Sequence, residues 1–494
     1  LTYQIFQNTV KSNDTPFKKY YSIYNNKITY IIGCSEDLTG IRRKLKQKAG
    51  AFMVIENTYQ FPFLKDKVHL YILDNKHSII TIKKPGEITN ISTWVKTGSI
   101  NENDKNNGVS HFLEHLMFKG TERLKPGEFD RLLESRGGII NAATWKDYTF
   151  YYVTIPKGEN DENFKLAIDL HADMLLNSIL PEEEIGKPYD INDEDFKEKR
   201  ERSVVIEEIS MREDQPWTKT YNALNGMMYK NHPYRRDTIG TREIISSISR
   251  DAIMDYYHSW YVPENMITIV VSNHEPEKML EMVEKHFQFK AVKSSPPSDY
   301  IAEEPPTETL NKNITGDINT GFGIAGFHGP KPSNLKESIC MEVITISMGE
   351  GRSSRLIQNL IEKPDNPIFN MINCVQYQFR DGSNILLQSN FKADKKDEAI
   401  KALKDQINNL KDNPITKAEL EKARKKLESR FAETAETASG IAESVGYAIV
   451  LTNGLTMYTE YLETLKEITL DDLKDVVNKY LDLNKMCIAT MTPQ

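Results

Sequence analysis

Residues 108–121 read Gly108-Val-Ser-His111-Phe-Leu-Glu114-His115-Leu-Met-Phe-Lys-Gly-Thr121. On a helix, His111, Glu114 and His115 stand at i, i+3 and i+4 and share one face. Two imidazoles one turn apart can grip a single zinc ion, and a carboxylate between them can reach a water on that ion. Phe112, Leu113, Leu116, Met117 and Phe118 fill most of the remaining helix surface. The helix is therefore expected to be buried, with its polar face an exception to its surroundings.

Working outward, 494 residues exceed what one core usually supports, so two or more domains are expected. Hydrophobic residues at 39% and charged residues at 27% describe an ordinary globular chain. The formal net charge of -8 leaves no basic field for nucleic acid, and any charge steering favours cationic partners. The longest apolar runs are too short to span a bilayer. Cys34, Cys340, Cys374 and Cys487 are scattered with no CxxC, so they read as isolated thiols rather than a disulfide framework or a thiolate zinc site. The chain begins at Leu1 rather than Met, which leaves room for a leader. The compartment stays open between cytoplasm and periplasm.

Residues 1–65, rich in Tyr, Lys and Asn, read as an extension with short strand-like runs such as KITYIIG. Residues 66–290 form the metal-bearing domain. In it, VHLYILDN and HSIITIKK make a hairpin turning near Asp74-Asn75-Lys76, and ISTWVKTGS is a further strand. Ser110 is expected to cap the metal helix. A second helix opens at Pro126 and stops before Gly137-Gly138. INAAT and YTFYYVTI are strands around a turn at Trp145-Lys146-Asp147. Residues 161–179 are helical by period, with His171 read as a packed residue rather than a ligand. PEEEIGKPYDINDEDFKEKR, residues 181–200, begins as an inserted acidic loop, and FKEKRERSVVIEEISMRED then reads as a helix.

Two segments resemble each other without a gap. SISRDAIMDYYHSWYVPENMITIVVS begins at Ser247, and EITLDDLKDVVNKYLDLNKMCIATMT begins 220 positions later at Glu467. Ile248 matches Ile468, Asp251 matches Asp471, Asp255 matches Asp475 and Met266 matches Met486. Each is a capped helix running into a hydrophobic strand, so the chain is expected to hold two copies of one α/β domain, a duplication too coarse for a solenoid. The Pro- and Ser-rich stretch 291–312 is the linker between them, and 313–494 is the second domain, which has no HxxEH.

A zinc site needs a third protein ligand, and a catalytic one keeps a position for water. Glu201, Glu207 and Glu208 are the candidates on the acidic helix. Glu201 and Glu208 share a face at two turns, while Glu207 points about 100° away from Glu208. With HFLEH, NAATWKDYTFYY and ERSVVIEEI all in place, the chain resembles the inverted-zincin peptidases: pitrilysin, insulysin and the mitochondrial processing peptidase. It resembles most narrowly their short two-domain bacterial relatives, over roughly residues 66–494. The resemblance implies an α+β fold of two similar α/β domains, each an antiparallel sheet packed with helices. It implies that His111 and His115 bind Zn²⁺ and that Glu114 is the general base. The family's E-R acidic residue, seven before the distal ligand, matches Glu201-Arg202, which makes Glu208 the third ligand and Glu201 a supporting acid. The stretch from His115 to Glu208 is longer than is usual in the family, and the acidic insert is where the extra residues fit. Asn141 and Ala143 match the edge strand on which relatives hold the substrate backbone.

The sequence departs from the family at one place. Relatives use an Arg and a Tyr, following an SRL segment, to hold the peptide carbonyl and its oxyanion. In SSRLIQNLIEKPDNPIF, Ile361 stands at the Arg position and Ile368 or Phe369 near the Tyr position. The resemblance is thus to the zinc-bearing partner of a heterodimer, whose second, homologous subunit supplies the pair. The function expected is zinc-dependent endopeptidase action on peptides or unfolded protein segments within a closed chamber. The first alternative is a non-catalytic scaffold subunit of the same fold, against which the intact His111, Glu114 and His115 argue. A small-molecule lyase with an HxxEH motif is a second, disfavoured because such enzymes are short single domains with a Cys ligand.

Overall fold

The structure, a computed structural model, describes residues 7–8, 18–24, 27–33, 55–193, 200–290, 294–297 and 300–494. Cys34, residues 194–199 of the acidic stretch and part of the linker lie outside the described residues. The chain divides into two units, Leu1–Met53 and Val54–Gln494. In the first, β1 (Gln7–Asn8), β2 (Lys18–Tyr24) and β3 (Lys27–Gly33) form an antiparallel sheet in that order, and the KITYIIG run is β3.

The second unit holds two sheets. The first comprises β4 (Ile55–Tyr59), β5 (Val68–Ile72), β6 (Ser78–Lys83), β7 (Ile88–Val95), β8 (Ile139–Thr144), β9 (Thr149–Pro156) and β10 (Met266–Ser272). Their order is β4-β5-β6-β10-β7-β9-β8. The second comprises β11 (Leu310–Gly316), β12 (Gly321–Gly329), β13 (Phe369–Phe379), β14 (Gly382–Phe391) and β15 (Cys487–Pro493), in the order β11-β15-β12-β14-β13. β10 is buried along its whole length and is mostly apolar, with Thr268 and Ser272 its polar residues, whereas β9 alternates. The expected hairpin is β5–β6, with Lys76 at positive φ in its turn.

The duplication appears as a repeated strand order: β6-β10-β7-β9-β8 corresponds to β11-β15-β12-β14-β13. The expectation of antiparallel sheets needs one correction, because β10 runs parallel to β6 and β15 parallel to β11. In each half the last strand arrives after a helix and slots between two strands of opposite direction, β6 and β7 or β11 and β12, so one neighbour must be parallel. Both sheets are therefore mixed. β4 lies inside the stretch read as an extension, yet it pairs with β5 as the outermost strand of the first sheet.

The halves also exchange a helix. Pro216–Met228, from the first half, lies against β12 and β15, where Leu224 and Met228 share a core with Ile324, Leu386 and Ala489. Ala438–Thr452, from the second, lies against β7 and β10, where Ile441 and Val445 pack with Trp94, Ile80 and Ile269. Gly446 is needed for that approach, since a Cβ there would sit 2.0 Å from Trp94 Cε2. Each sheet is thus sealed on one face by the other half's helix.

Candidate metal centre

The motif helix runs Val109–Leu116, with Val109, Ser110, Phe112, Leu113 and Leu116 buried. Gly108 begins it at φ +95, and a Cβ there would meet Ile239 O at 2.6 Å. Ser110 does not cap it. That place is taken by Glu102, only 5% exposed, whose carboxylate accepts from the amides of Gly108 (2.7 Å) and Ser110 (2.8 Å) and from Asn107 Nδ2 (2.8 Å). A carboxylate outside the helix satisfies the orphan amides as well as a cap would. Ser110 Oγ instead meets Tyr256 OH at 2.7 Å.

The acidic helix runs Glu201–Glu213 and buries Arg202, Val205, Ile206 and Ile209. This face turns Glu208 toward the motif helix and leaves Glu207 exposed. Glu208 Oε2 lies 3.7 Å from His111 Nε2 and 3.6 Å from His115 Nε2. The three donor atoms all lie within 4.8 Å of one another. Bond lengths of 2.0–2.2 Å in a tetrahedron imply donor separations of roughly 3.3 Å, so small side-chain movements would close this set on zinc. The donors are two nitrogens and a carboxylate oxygen, the set of a catalytic rather than a thiolate site.

The surrounding charges suit this reading. Burial, with help from His115 and Arg212, lowers the His111 pKa to about 3, so the ring is neutral and able to ligate. Its Nδ1 is buried with no partner among the described residues. His115 Nδ1 lies 3.0 Å from Glu201 Oε1, and Lys119 Nζ lies 2.6 Å from Glu201 Oε2. Burial works against the protonated form of His115, but the Glu201 hydrogen bond and the carboxylates of Glu114 and Glu208 raise its pKa overall. Burial likewise opposes the charge on Glu201, yet His115 and Lys119 hold its carboxyl below the usual range. A carboxylate fixed on Nδ1 orients the ring and directs Nε2 at the metal position. Glu114 is raised by burial, and its Oε2 accepts from Thr144 Oγ1 at 2.8 Å.

β8 carries Asn141 and Ala143 and ends at Thr144. It is the outer strand of its sheet, with no described strand beyond it. Trp145 N–H donates to Tyr148 C=O at 2.8 Å, which sets the phase of the β8–β9 ladder. By alternation the main-chain groups of Asn141 and Ala143 face β9, while those of Ala142 and Thr144 face the free edge. Asn141 Oδ1 accepts from the Ala142 amide at 2.8 Å. Ile361 lies in a π turn, Gln358–Glu362, and it and Ile368 pack half-buried on the second core. Phe369 is buried at the start of β13. His171 is fully buried and meets Thr93 Oγ1 at 3.0 Å through Nε2, as a packed residue. Thr144, Lys119, Glu102 and Arg202 escape a reading of the sequence alone. Thr144, Lys119 and Arg202 lie within the quoted motifs, but nothing in the sequence gives their contacts.

With this geometry in hand, comparison with known proteins is informative. The family model described as Insulinase (Peptidase family M16) matches residues 78–242, and that described as Peptidase M16 inactive domain matches residues 247–427. The chain is 25% identical over 419 residues to an uncharacterized zinc protease of Rickettsia felis, covering 84% of this chain and 95% of that one. It is 26% identical over 412 residues to a probable mitochondrial-processing peptidase subunit beta of Arabidopsis thaliana, covering 82% and 74%. The crystal structure of a protease from Helicobacter pylori superposes with a TM-score of 0.76 at 24% identity, covering 89% of this chain and all of that one, which is a likeness of fold.

Proposed function

We propose that this chain, which belongs to peptidase family M16, the insulinase family, is a zinc-dependent endopeptidase acting on peptides or unfolded protein segments. One observation carries the reading. His111 and His115 from one helix and Glu208 from another bring three ligand atoms within 4.8 Å of each other, with the Glu114 carboxylate on the same helix face.

In this reading His111, His115 and Glu208 hold the metal, and Glu201 orients His115. Zinc held there would supply Lewis acidity, making a water acidic and polarising the scissile carbonyl. Glu114 accepts the proton of the attacking water and passes it to the amide nitrogen as that bond breaks. The hydroxyl and the backbone of Thr144 both hydrogen-bond the Glu114 carboxylate and hold it at the end of β8. An extended substrate would add to the free edge of β8 across Asn141–Ala143. There it would take the main-chain groups of Ala142 and displace the Asn141 side chain from the Ala142 amide. An added strand must be unfolded, which supports peptides or unfolded segments as substrates.

We further propose that a second homologous subunit closes the chamber and supplies the Arg/Tyr pair, since Ile361, Ile368 and Phe369 offer no side-chain donor. The same three residues are the one observation favouring a non-catalytic scaffold role. Metal analysis of the purified chain, with peptide turnover before and after chelation, decides between the two. About one zinc per chain, lost together with activity, is expected. Glu114→Gln should keep the zinc and lose turnover by about 10²–10⁴-fold. Turnover that survives in Glu114→Gln would refute the assignment of the base. A chain that takes up no zinc would leave only the scaffold reading.

A further inference from the structure

Two arginines, Arg202 fully buried and Arg424 partly buried, make matching contacts in the two halves. Arg202, in the first turn of Glu201–Glu213, is 1% exposed. Its Nε donates to Gly186 C=O (3.2 Å), one Nη to Ile248 C=O (2.9 Å) and the other to Ile245 C=O. Arg424, in the helix Lys417–Glu436, donates from Nε to Leu465 C=O (3.1 Å) and from Nη2 to Lys466 C=O (3.0 Å) and to Ile468 C=O. Ile245 with Leu465, and Ile248 with Ile468, are corresponding positions of the 220-residue repeat. In both halves a planar guanidinium gathers the end carbonyls of a short helix, Arg242–Ser247 or Tyr461–Glu467, which those helices cannot satisfy themselves.

The halves differ in what is built on the anchor. Six residues beyond Arg202 stands Glu208, whereas six beyond Arg424 stands Arg430, paired with Glu350. Arg202 also lies over the ring of Phe112, its carbon 5.4 Å from the centroid, and Phe112 follows His111 on the motif helix. One side chain therefore touches both helices that supply ligands. Val205, Ile206 and Ile209 hold the acidic helix against the core, but apolar packing tolerates small rotations. A rotation of roughly 20° moves a side chain at the helix surface by about 2 Å. Metal–ligand distances tolerate only about 0.2 Å.

We infer that Arg202 is a positioning residue of the metal centre: it sets the rotation and depth of the acidic helix so that Glu208 meets His111 and His115. Arg424 is the same anchor without that added role. The inference rests on the metal-centre reading proposed above.

The quasi-equivalent arginine supplies the control. Arg202→Met and Arg424→Met are compared for melting temperature, zinc affinity by chelator competition, and the visible spectrum of the cobalt-loaded protein. Both variants lose melting temperature. Only Arg202→Met loses zinc affinity, by about 10–100-fold, and shows an altered cobalt spectrum. Should Arg202→Met fail to fold, Arg202→Lys and Arg424→Lys replace the pair, because an ammonium cannot span three carbonyls as the fork does. Zinc affinity unchanged in the Arg202 variants, or reduced equally in the Arg424 variants, overturns the inference. Hydrogen exchange gives a readout independent of metal: Val109–Leu116 and Glu201–Glu213 lose protection together in Arg202→Lys and keep it in Arg424→Lys. A wild-type chain that binds no zinc defeats the metal-centre reading, and the exchange pattern then decides the anchor on its own.

Discussion

The hydroxyl of Thr144, the last residue of β8, donates to Glu114 Oε2 across 2.8 Å. The end of the edge strand is thereby tied to Glu114, so under the proposed function a substrate added to β8 would be aligned to the proposed base. Thr144→Val keeps the shape and removes the donor. A hydrogen bond to a charged group is worth about 1.5–3 kcal/mol, so kcat should fall roughly 10–100-fold. Zinc content should not change, because Thr144 touches none of the three ligands. Steady-state kinetics on a fixed peptide check this, and an unchanged kcat removes Thr144 from the machinery.

Glu207 and Glu208 are adjacent in sequence but differ in exposure and neighbours. Glu208 Oε2 sits 3.7 and 3.6 Å from the two imidazole nitrogens, while Glu207 is exposed. Glu208→Gln should weaken zinc binding by more than the roughly 10–100-fold typical of a supporting residue. Glu201→Gln should fall within that range, since it frees the His115 ring without removing a ligand. Glu207→Gln should match wild type. Chelator competition on the three variants ranks them, and any other order moves the third ligand elsewhere.

How far the sequence was legible follows from the range of each interaction. The motif helix is a local object: His111, Glu114 and His115 reveal their shared face through spacing alone. Glu208 needed the E-R spacing of a family resemblance, because nothing local separates it from Glu207. Thr144, Glu102 and Lys119 act through contacts that only the folded chain makes, and a Thr at a strand end or a Glu in a polar loop has no periodicity to betray it. The repeated helix–strand unit was visible at 220 residues. The parallel pairs were not, because strand order depends on where a returning strand inserts. The helix exchange was hidden for a related reason: the apolar stripe of Pro216–Met228 says that it packs, without saying on which sheet.

Stability should also report on the second half, away from the candidate metal centre. Arg355 of the SRL segment grips Glu419 through two contacts of 2.6 and 2.7 Å, and Glu419 caps its own helix with Thr416. Burial opposes the charge on Glu419, but Arg355 and Thr416 lower its pKa to about 2. A carboxyl lowered on folding adds stability that is full above its unfolded value, about 4.3, and is lost as pH falls through the folded one. The difference in unfolding free energy between wild type and Glu419→Gln should therefore be largest at pH 6–7 and shrink from about pH 5 toward pH 2. Denaturant melts of both proteins across that range test the sign. A gap that widens on acidification contradicts it.

The last expectation concerns the apolar residues after the SRL segment. Peptide hydrolysis builds negative charge on the carbonyl oxygen, and one preorganised donor there lowers the barrier by roughly 3 kcal/mol. Under the proposal a second subunit's Arg and Tyr act there, because the matching Ile361, Ile368 and Phe369 are packed into or against the second core with no side-chain donor to offer. The isolated chain should therefore bind zinc fully and cleave peptides poorly. Adding a homologous chain that carries the Arg/Tyr pair should raise kcat by about 10²–10³-fold for each donor supplied. The gain should saturate at a one-to-one ratio and vanish when the partner's Arg is replaced. Turnover measured against partner concentration, with zinc content held constant, is the direct test. Full activity from the pure chain at every dilution would mean that the oxyanion is held by other residues of this chain and that the partner is dispensable.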